Sequence, residues 1–244
     1  MSERRQPRLF VDQPLAAQAV IVLTPERAHY LNNVMRLKVG DAVKLFNGRD
    51  GEWGAAIESV TKKTCTLRAI LQSKPQSRDP DLWLAFAPIK RAKTDYLAEK
   101  ATELGASVLC PVLTQHTNAE RVNIDRLRAI AVESAEQCER LCVPEVREAN
   151  TLAHVMAHWP KDRRLFVLDE TGGGKPLAAV LGEFADLPCG FLVGPEGGFT
   201  QTELDELAQL PFVSRVGLGP RILRAETAAM AALVCWQSLV GDWR

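Results

Sequence analysis

Gly194-Pro195-Glu196-Gly197-Gly198-Phe199-Thr200 decides the fold of the larger part of the chain. It follows the apolar run Gly190–Val193 and leads into Thr200-Gln201-Thr202-Glu203, a capping box that starts a helix. A glycine-rich turn between strand and helix lets backbone N–H groups approach a ligand closely. A second such turn, Gly217-Leu218-Gly219-Pro220-Arg221-Ile222-Leu223-Arg224-Ala225-Glu226, follows Val213–Gly217 and opens an alanine-rich helix. Arg221 and Arg224 flank that helix start, where a cation opposes the helix dipole. A bound anion would favour them there; internal ion pairs to Glu196 or Glu226 are the alternative.

Outward from these turns the rhythm is strand, helix, strand. Leu82–Ala87, Val108–Leu113 and Leu165–Leu168 are further apolar runs. Lys93–Leu104 and Ile124–Cys142 read as helices, the second with a stripe of Ile124, Leu127, Ala131, Ala135 and Cys138. Continuous apolar strands alternating with helices predict an α/β domain with a mostly parallel sheet covered on both faces. Both glycine turns then fall at the carboxyl ends of strands, where such sheets bind ligands.

The first third differs. Leu9–Val11, Ala19–Leu23, Val43–Phe46, Trp53–Val60 and Thr64–Leu71 are short, and Asn47-Gly48 and Asp50-Gly51 are turn signals. Thr24-Pro25 opens a short helix. This pattern predicts a small β-barrel over 1–74. The polar, proline-bearing stretch 74–80 reads as a linker, and the second domain runs over 81–244.

Lys and Arg balance Asp and Glu, 30 against 30, yet residues 1–74 hold 12 against 7. Such an asymmetry points the first domain at a polyanion. Arg4, Arg5 and Arg8 form one basic cluster and Lys90, Arg91 and Lys93 another, both suited to phosphate. No apolar run is long enough to span a bilayer, and no apolar stretch backs the basic N-terminus, so a cytoplasmic protein is expected. The six cysteines lack metal-ligand spacing; Cys138 and Cys142 read as members of a buried helix stripe, and no metal is expected. The glycine spacing is not a dinucleotide fingerprint. Thr171-Gly172-Gly173-Gly174-Lys175 is not a phosphate loop, because the earlier glycine is missing and Pro176 stands where Ser or Thr is needed; it reads as a flexible loop. The four histidines show no triad spacing, and His154 and His158 read as surface positions on a helix.

Leu192–Phe199 taken with Leu218–Ala228 resembles the RNA methyltransferases of the SPOUT superfamily, and more narrowly the family that methylates N3 of a uridine in 16S ribosomal RNA. Arg8-Leu9-Phe10-Val11, His29–Arg36, Lys93–Gly105 and Ser134–Cys138 extend the resemblance along the chain. One stretch departs. After Cys138 the family pattern calls for Gly-Arg-Asn-Arg, where this chain has Glu139-Arg140-Leu141-Cys142.

The resemblance implies an N-terminal PUA-like β-barrel, a C-terminal SPOUT α/β domain with a deep trefoil knot, and a homodimer that acts on 16S rRNA within the small ribosomal subunit. It implies S-adenosylmethionine as cofactor, held among Leu168, Gly194, Pro195, Glu196, Gly197, Gly198, Gly217, Leu218, Gly219, Ile222 and Leu223. RNA contacts are expected from Arg4, Arg5, Arg8, Arg36, Lys90, Arg91, Lys93 and Arg140. Methylation at N3 requires a proton acceptor and a stabiliser of developing negative charge; Glu196 and Glu226 are the candidate acceptors, Arg221 and Arg224 the candidate stabilisers. A 2′-O-ribose methyltransferase of the same superfamily and a non-catalytic RNA-binding protein are the rival readings, and a nicotinamide-dependent oxidoreductase is disfavoured by the glycine spacing.

Overall fold

The computed structural model describes residues 6–61, 64–118, 122–185 and 187–244; the expected RNA contacts Arg4 and Arg5 lie outside them. The chain forms two compact units. One holds 1–78 together with 135–143, the other 79–134 and 144–244.

In the first unit, β1 (Arg8–Phe10), β2 (Val20–Val22), β3 (Ala42–Phe46), β4 (Glu52–Val60) and β5 (Cys65–Lys74) form one sheet in the order β1-β3-β4-β5-β2. The β1–β3 pairing is parallel and the rest are antiparallel. Strands β1 and β2 remain its edges, so no backbone pairing between them closes a barrel among the described residues. The sheet is mixed because β1 and β3 are joined through β2 and α1 (Pro25–His29) rather than by a hairpin. The Thr24 hydroxyl caps α1 by accepting from Arg27 N at 3.5 Å, and Pro25 sits in the first turn. Leu9, Ile21, Leu31, Leu45, Ile57 and Leu67 are buried together, each worth about 1.5–3 kcal/mol. The expected linker starts late: Lys74 is still in β5, paired with Glu52.

The second unit is α/β. Its elements are β6 (Leu82–Phe86), α2 (Arg91–Glu103), β7 (Val108–Leu113), α3 (Ile124–Gln137), β8 (Glu145–Val146), β9 (Asn150–Thr151), α4 (Leu152–Ala157), β10 (Arg164–Leu168), β11 (Lys175–Pro176), α5 (Leu177–Val180), β12 (Cys189–Val193), α6 (Gln201–Ala208), β13 (Val213–Gly217) and α7 (Ala225–Leu239). The sheet runs β11-β13-β10-β12-β6-β7-β8, with β9 also on β7, and every pairing is parallel. Every residue of β6 and β12 is buried, as a sheet covered on both faces requires.

Helix α3 is shorter than its periodicity suggests. It ends at Gln137, and the chain turns at Glu139, whose φ is +63°. Cys138 is therefore exposed and Cys142 half-buried beyond the helix, not members of one buried stripe. The segment 135–143 packs within the first unit, where Ala135 and Leu141 are buried with Phe46.

Candidate active site

Strands β10, β12 and β13 are neighbours, and their last residues, Leu168, Val193 and Gly217, line one cavity of about 570 Å³. Loops leaving those strands complete it. Asp169, Glu170, Thr171, Gly172 and Gly174 come from the first; Gly194, Pro195 and Glu196 from the second; Leu218 through Arg224 from the third. Of the expected cofactor residues, Leu168, Gly194, Pro195, Glu196, Gly217, Leu218, Gly219, Ile222 and Leu223 all line this cavity. Gly197 and Gly198 do not. His116 Nδ1 donates to their carbonyls at 3.0 and 3.2 Å, and Gly198 lies against the Glu170 carboxylate. Two cavity glycines, Gly172 at φ +84° and Gly219 at φ +102°, have open space where a Cβ would stand, so bare backbone faces the cavity.

Local chemistry fixes each loop. Thr200 Oγ1 accepts from Glu203 N at 3.2 Å and Glu203 Oε2 accepts from Thr200 N at 2.8 Å, so the capping box pins the end of the second loop. The first loop is not the free segment its glycines suggest. Asp169 Oδ1 accepts from both the backbone N and the hydroxyl of Thr171, and Asp169 Oδ2 accepts from Arg215 Nη2 at 2.5 Å. Beyond it Lys175 and Pro176 pair with β13. Burial pushes the Asp169 carboxyl up, but the bonds from Thr171 and the Arg215 charge outweigh it and hold the group below its usual range. Asp169, Glu170 and Arg215 escape a sequence reading, although the Asp-x-Thr spacing is a turn signal.

A second cleft, of about 1480 Å³, is lined by Lys90, Arg91, Lys93, Asp95, Arg126 and Arg128 among others. Its lining and that of the first cavity share two residues, Glu196 and Arg224. Arg126 pairs with Asp95 and Arg128 with Asp125 and Glu148. Lys90, Arg91, Arg221 and Arg224 are exposed and make no ion pair among the described residues. The internal pairs open to Arg221 and Arg224 on sequence grounds are thus not formed; Lys93 stands in that place. Its Nζ is 3.1 Å from Glu226 Oε1 and 3.9 Å from Glu196 Oε1, so it is not a free phosphate ligand. Burial raises the Glu226 carboxyl, while a bond from its own backbone N–H and the Lys93 ammonium bring it below the usual range. Glu226 lines neither cavity.

Arg8 is also not presented to RNA. It is 8% exposed, its Nε donates to Glu52 at 2.7 Å, and its other nitrogens donate to the carbonyls of Ala135 and Arg140. Arg36 is exposed, at φ +56°. His154 and His158 are exposed on and just beyond α4, with rings stacked 4.2 Å apart.

Residues 76–237 match the model of an RNA methyltransferase domain and residues 23–70 that of an RNA methyltransferase PUA domain. The chain is 34% identical over 227 residues to ribosomal RNA small subunit methyltransferase E of Rickettsia conorii, covering 93% of each protein. Among solved structures it resembles a putative methyltransferase of Legionella pneumophila in complex with the bound cofactor SAM, with TM-score 0.85, 26% identity, and 96% and 98% of the two chains covered. It has the fold of ribosomal RNA small subunit methyltransferase E from Neisseria gonorrhoeae bound to S-adenosyl methionine, with TM-score 0.91, 23% identity, and 98% and 100% covered. With a catalytic-domain match over most of its length and a relative this similar from end to end, the chain belongs to the ribosomal RNA small subunit methyltransferase E family of RNA methyltransferases.

Proposed function

We propose that the chain transfers the methyl group of S-adenosylmethionine to N3 of a uridine in the 16S rRNA of the small ribosomal subunit. Family membership makes it an S-adenosylmethionine-dependent rRNA methyltransferase. The observation that carries the finer reading is the meeting of a cavity built from strand ends with a basic cleft at one carboxylate and one arginine, Glu196 and Arg224.

The cavity suits the cofactor. Its volume is ordinary for a small-molecule site. Leu168, Val193, Val216, Leu218 and Leu223 offer apolar faces to a purine, the backbone at Gly172 and Gly219 offers polar groups, and Glu170 offers a carboxylate to hydroxyl or ammonium groups. When bound, S-adenosylmethionine supplies an electrophilic methyl group on a sulfonium. The chain's own tasks are to align the acceptor nitrogen, exclude water and manage one proton. Glu196, exposed at the shared rim, takes the proton from uridine N3. Arg224 faces the negative charge that develops on the ring oxygens. Arg221 lines the cofactor cavity alone and contributes its charge from that side. Glu226, held by Lys93, supports the loop and removes no proton. Lys90 and Arg91 in the cleft, and Arg36 on the first unit, contact phosphates. A homodimer with a knotted second domain completes the reading, which takes these features from the family resemblance.

Single-turnover transfer from labelled S-adenosylmethionine to small subunits lacking the modification tests the assignment. Glu196→Gln is expected to slow transfer by roughly 100-fold or more while cofactor affinity stays within about threefold, and Arg224→Ala to slow it by about 100- to 1000-fold. Unchanged transfer by Glu196→Gln would move the proton acceptor elsewhere.

A further inference from the structure

Lys93 lies in the first turn of α2, where its charge opposes the helix dipole. Helices α2 and α7 run parallel, side by side. Lys93 meets Glu226 at their N-terminal ends, and Gln237 Nε2 donates to the Leu104 carbonyl at their C-terminal ends, 2.8 Å. Lys93 therefore reaches a carboxylate from each of the two glycine loops, Glu226 of the later one at 3.1 Å and Glu196 of the earlier one at 3.9 Å. The other oxygen of Glu226 is buried and has no hydrogen-bond partner among the described residues. Lys93 is the one cation within salt-bridge distance of this carboxylate among the described residues, although the Arg224 charge also acts on it; removing Lys93 leaves a desolvated group without its paired cation at the head of α7. Lys90 and Arg91, three and two residues earlier, make no such pair among the described residues.

We propose that Lys93 is a positioning residue for methyl transfer. It acts through Glu226 and Glu196, tying both loops to α2 so that the cofactor cavity and the proton acceptor keep one register. The proposal rests on reading the cavity as the S-adenosylmethionine site and Glu196 as the acceptor.

The test uses the full chain and the variants Lys93→Met, Lys93→Arg, Glu226→Gln and Lys93→Met/Glu226→Gln. Cofactor Kd is measured by calorimetry, kcat and KM for small subunits by methyl transfer, and folding by thermal melting. Lys93→Met is expected to weaken cofactor binding about tenfold or more and to lower kcat about tenfold or more, with RNA KM within about threefold. Lys93→Arg restores both to within about threefold, and adding Glu226→Gln to Lys93→Met changes either by less than about twofold, because the two residues act as one unit. If Lys93→Met does not fold, the double variant, which carries no stranded charge, is expected to fold with the same weakened Kd. The proposal is overturned if Lys93→Met instead raises RNA KM, flattens its salt dependence and leaves cofactor Kd and kcat unchanged, the behaviour of a phosphate contact. It is overturned equally if the effects of Lys93→Met and Glu226→Gln multiply. A wild-type chain that binds no cofactor would sink the underlying reading as well, whereas cofactor binding that survives Lys93→Met unaltered would sink this proposal alone.

Discussion

At Glu139 a departure in sequence meets a demand of the backbone. The family pattern places glycine there, and the φ of +63° just beyond α3 is the left-handed conformation that glycine adopts freely at helix ends. Glutamate occupies it and pairs with Lys74 at 2.9 Å, both side chains 42% exposed, so the pair returns little. Leu141, where the pattern has asparagine, is buried against Phe46 and Ala135. Glu139→Gly is expected to leave the melting temperature unchanged or higher. Glu139→Val, β-branched and unpaired, should cost about 1–2 kcal/mol, a few degrees in Tm. Equal destabilisation by both would mean that the ion pair, not the backbone, governs the site. Arg8 teaches the same lesson from the other side. As a string, Arg4-Arg5-Gln6-Pro7-Arg8 is a basic arm; that Arg8 is buried is decided by Glu52, far along the chain, and sequence neighbours carry no trace of it.

At the scale of elements, local signals were readable and pairings across the sheet were not. The capping box at Thr200 and the proline-started helix at Thr24 are written within four residues, and both form. The loop 169–174 looked loose because glycines dominate it. It is fixed by Arg215 in β13, a residue whose partner becomes visible once β10 and β13 lie side by side. The Asp169 side chain is fully buried, so Arg215→Ala leaves a desolvated carboxylate short of its cation and should cost about 1–3 kcal/mol. The same variant should bind S-adenosylmethionine more weakly, since this loop is one wall of the cavity. The pH dependence has a definite sign. Asp169 and Glu52 both titrate below their usual range in the folded chain, so their contribution to stability is complete above the unfolded values, near about 4, and is lost as pH falls through the folded ones. For Glu52 burial acts upward and is outweighed by Arg8, Ser73 and Lys44. Arg215→Ala is expected to raise the midpoint of acid unfolding; a midpoint left in place would show that Asp169 does not draw its low value from Arg215.

For the molecule as a whole, composition and rhythm carried the division into a β-rich part and a parallel α/β part, because burial on one face or on two leaves different periodicities. They did not reveal that 135–143 belongs with the first unit. That assignment comes from carbonyls of Ala135 and Arg140 accepting from Arg8, and from Glu136 accepting from Arg27 at 2.6 Å, contacts made across more than a hundred residues. The chemistry was more readable than the topology, since the two glycine loops announce a ligand wherever the strands bearing them happen to lie. What the loops leave open is the atom that receives the methyl group. The deciding measurement is nucleoside analysis of 16S rRNA from unmodified small subunits after incubation with this chain and labelled S-adenosylmethionine. Label in 3-methyluridine is the predicted result, accumulating about 100- to 1000-fold more slowly with Arg224→Ala. Label in a 2′-O-methylated nucleoside, or in a base methylated at carbon, would contradict the roles given to Glu196 and Arg224.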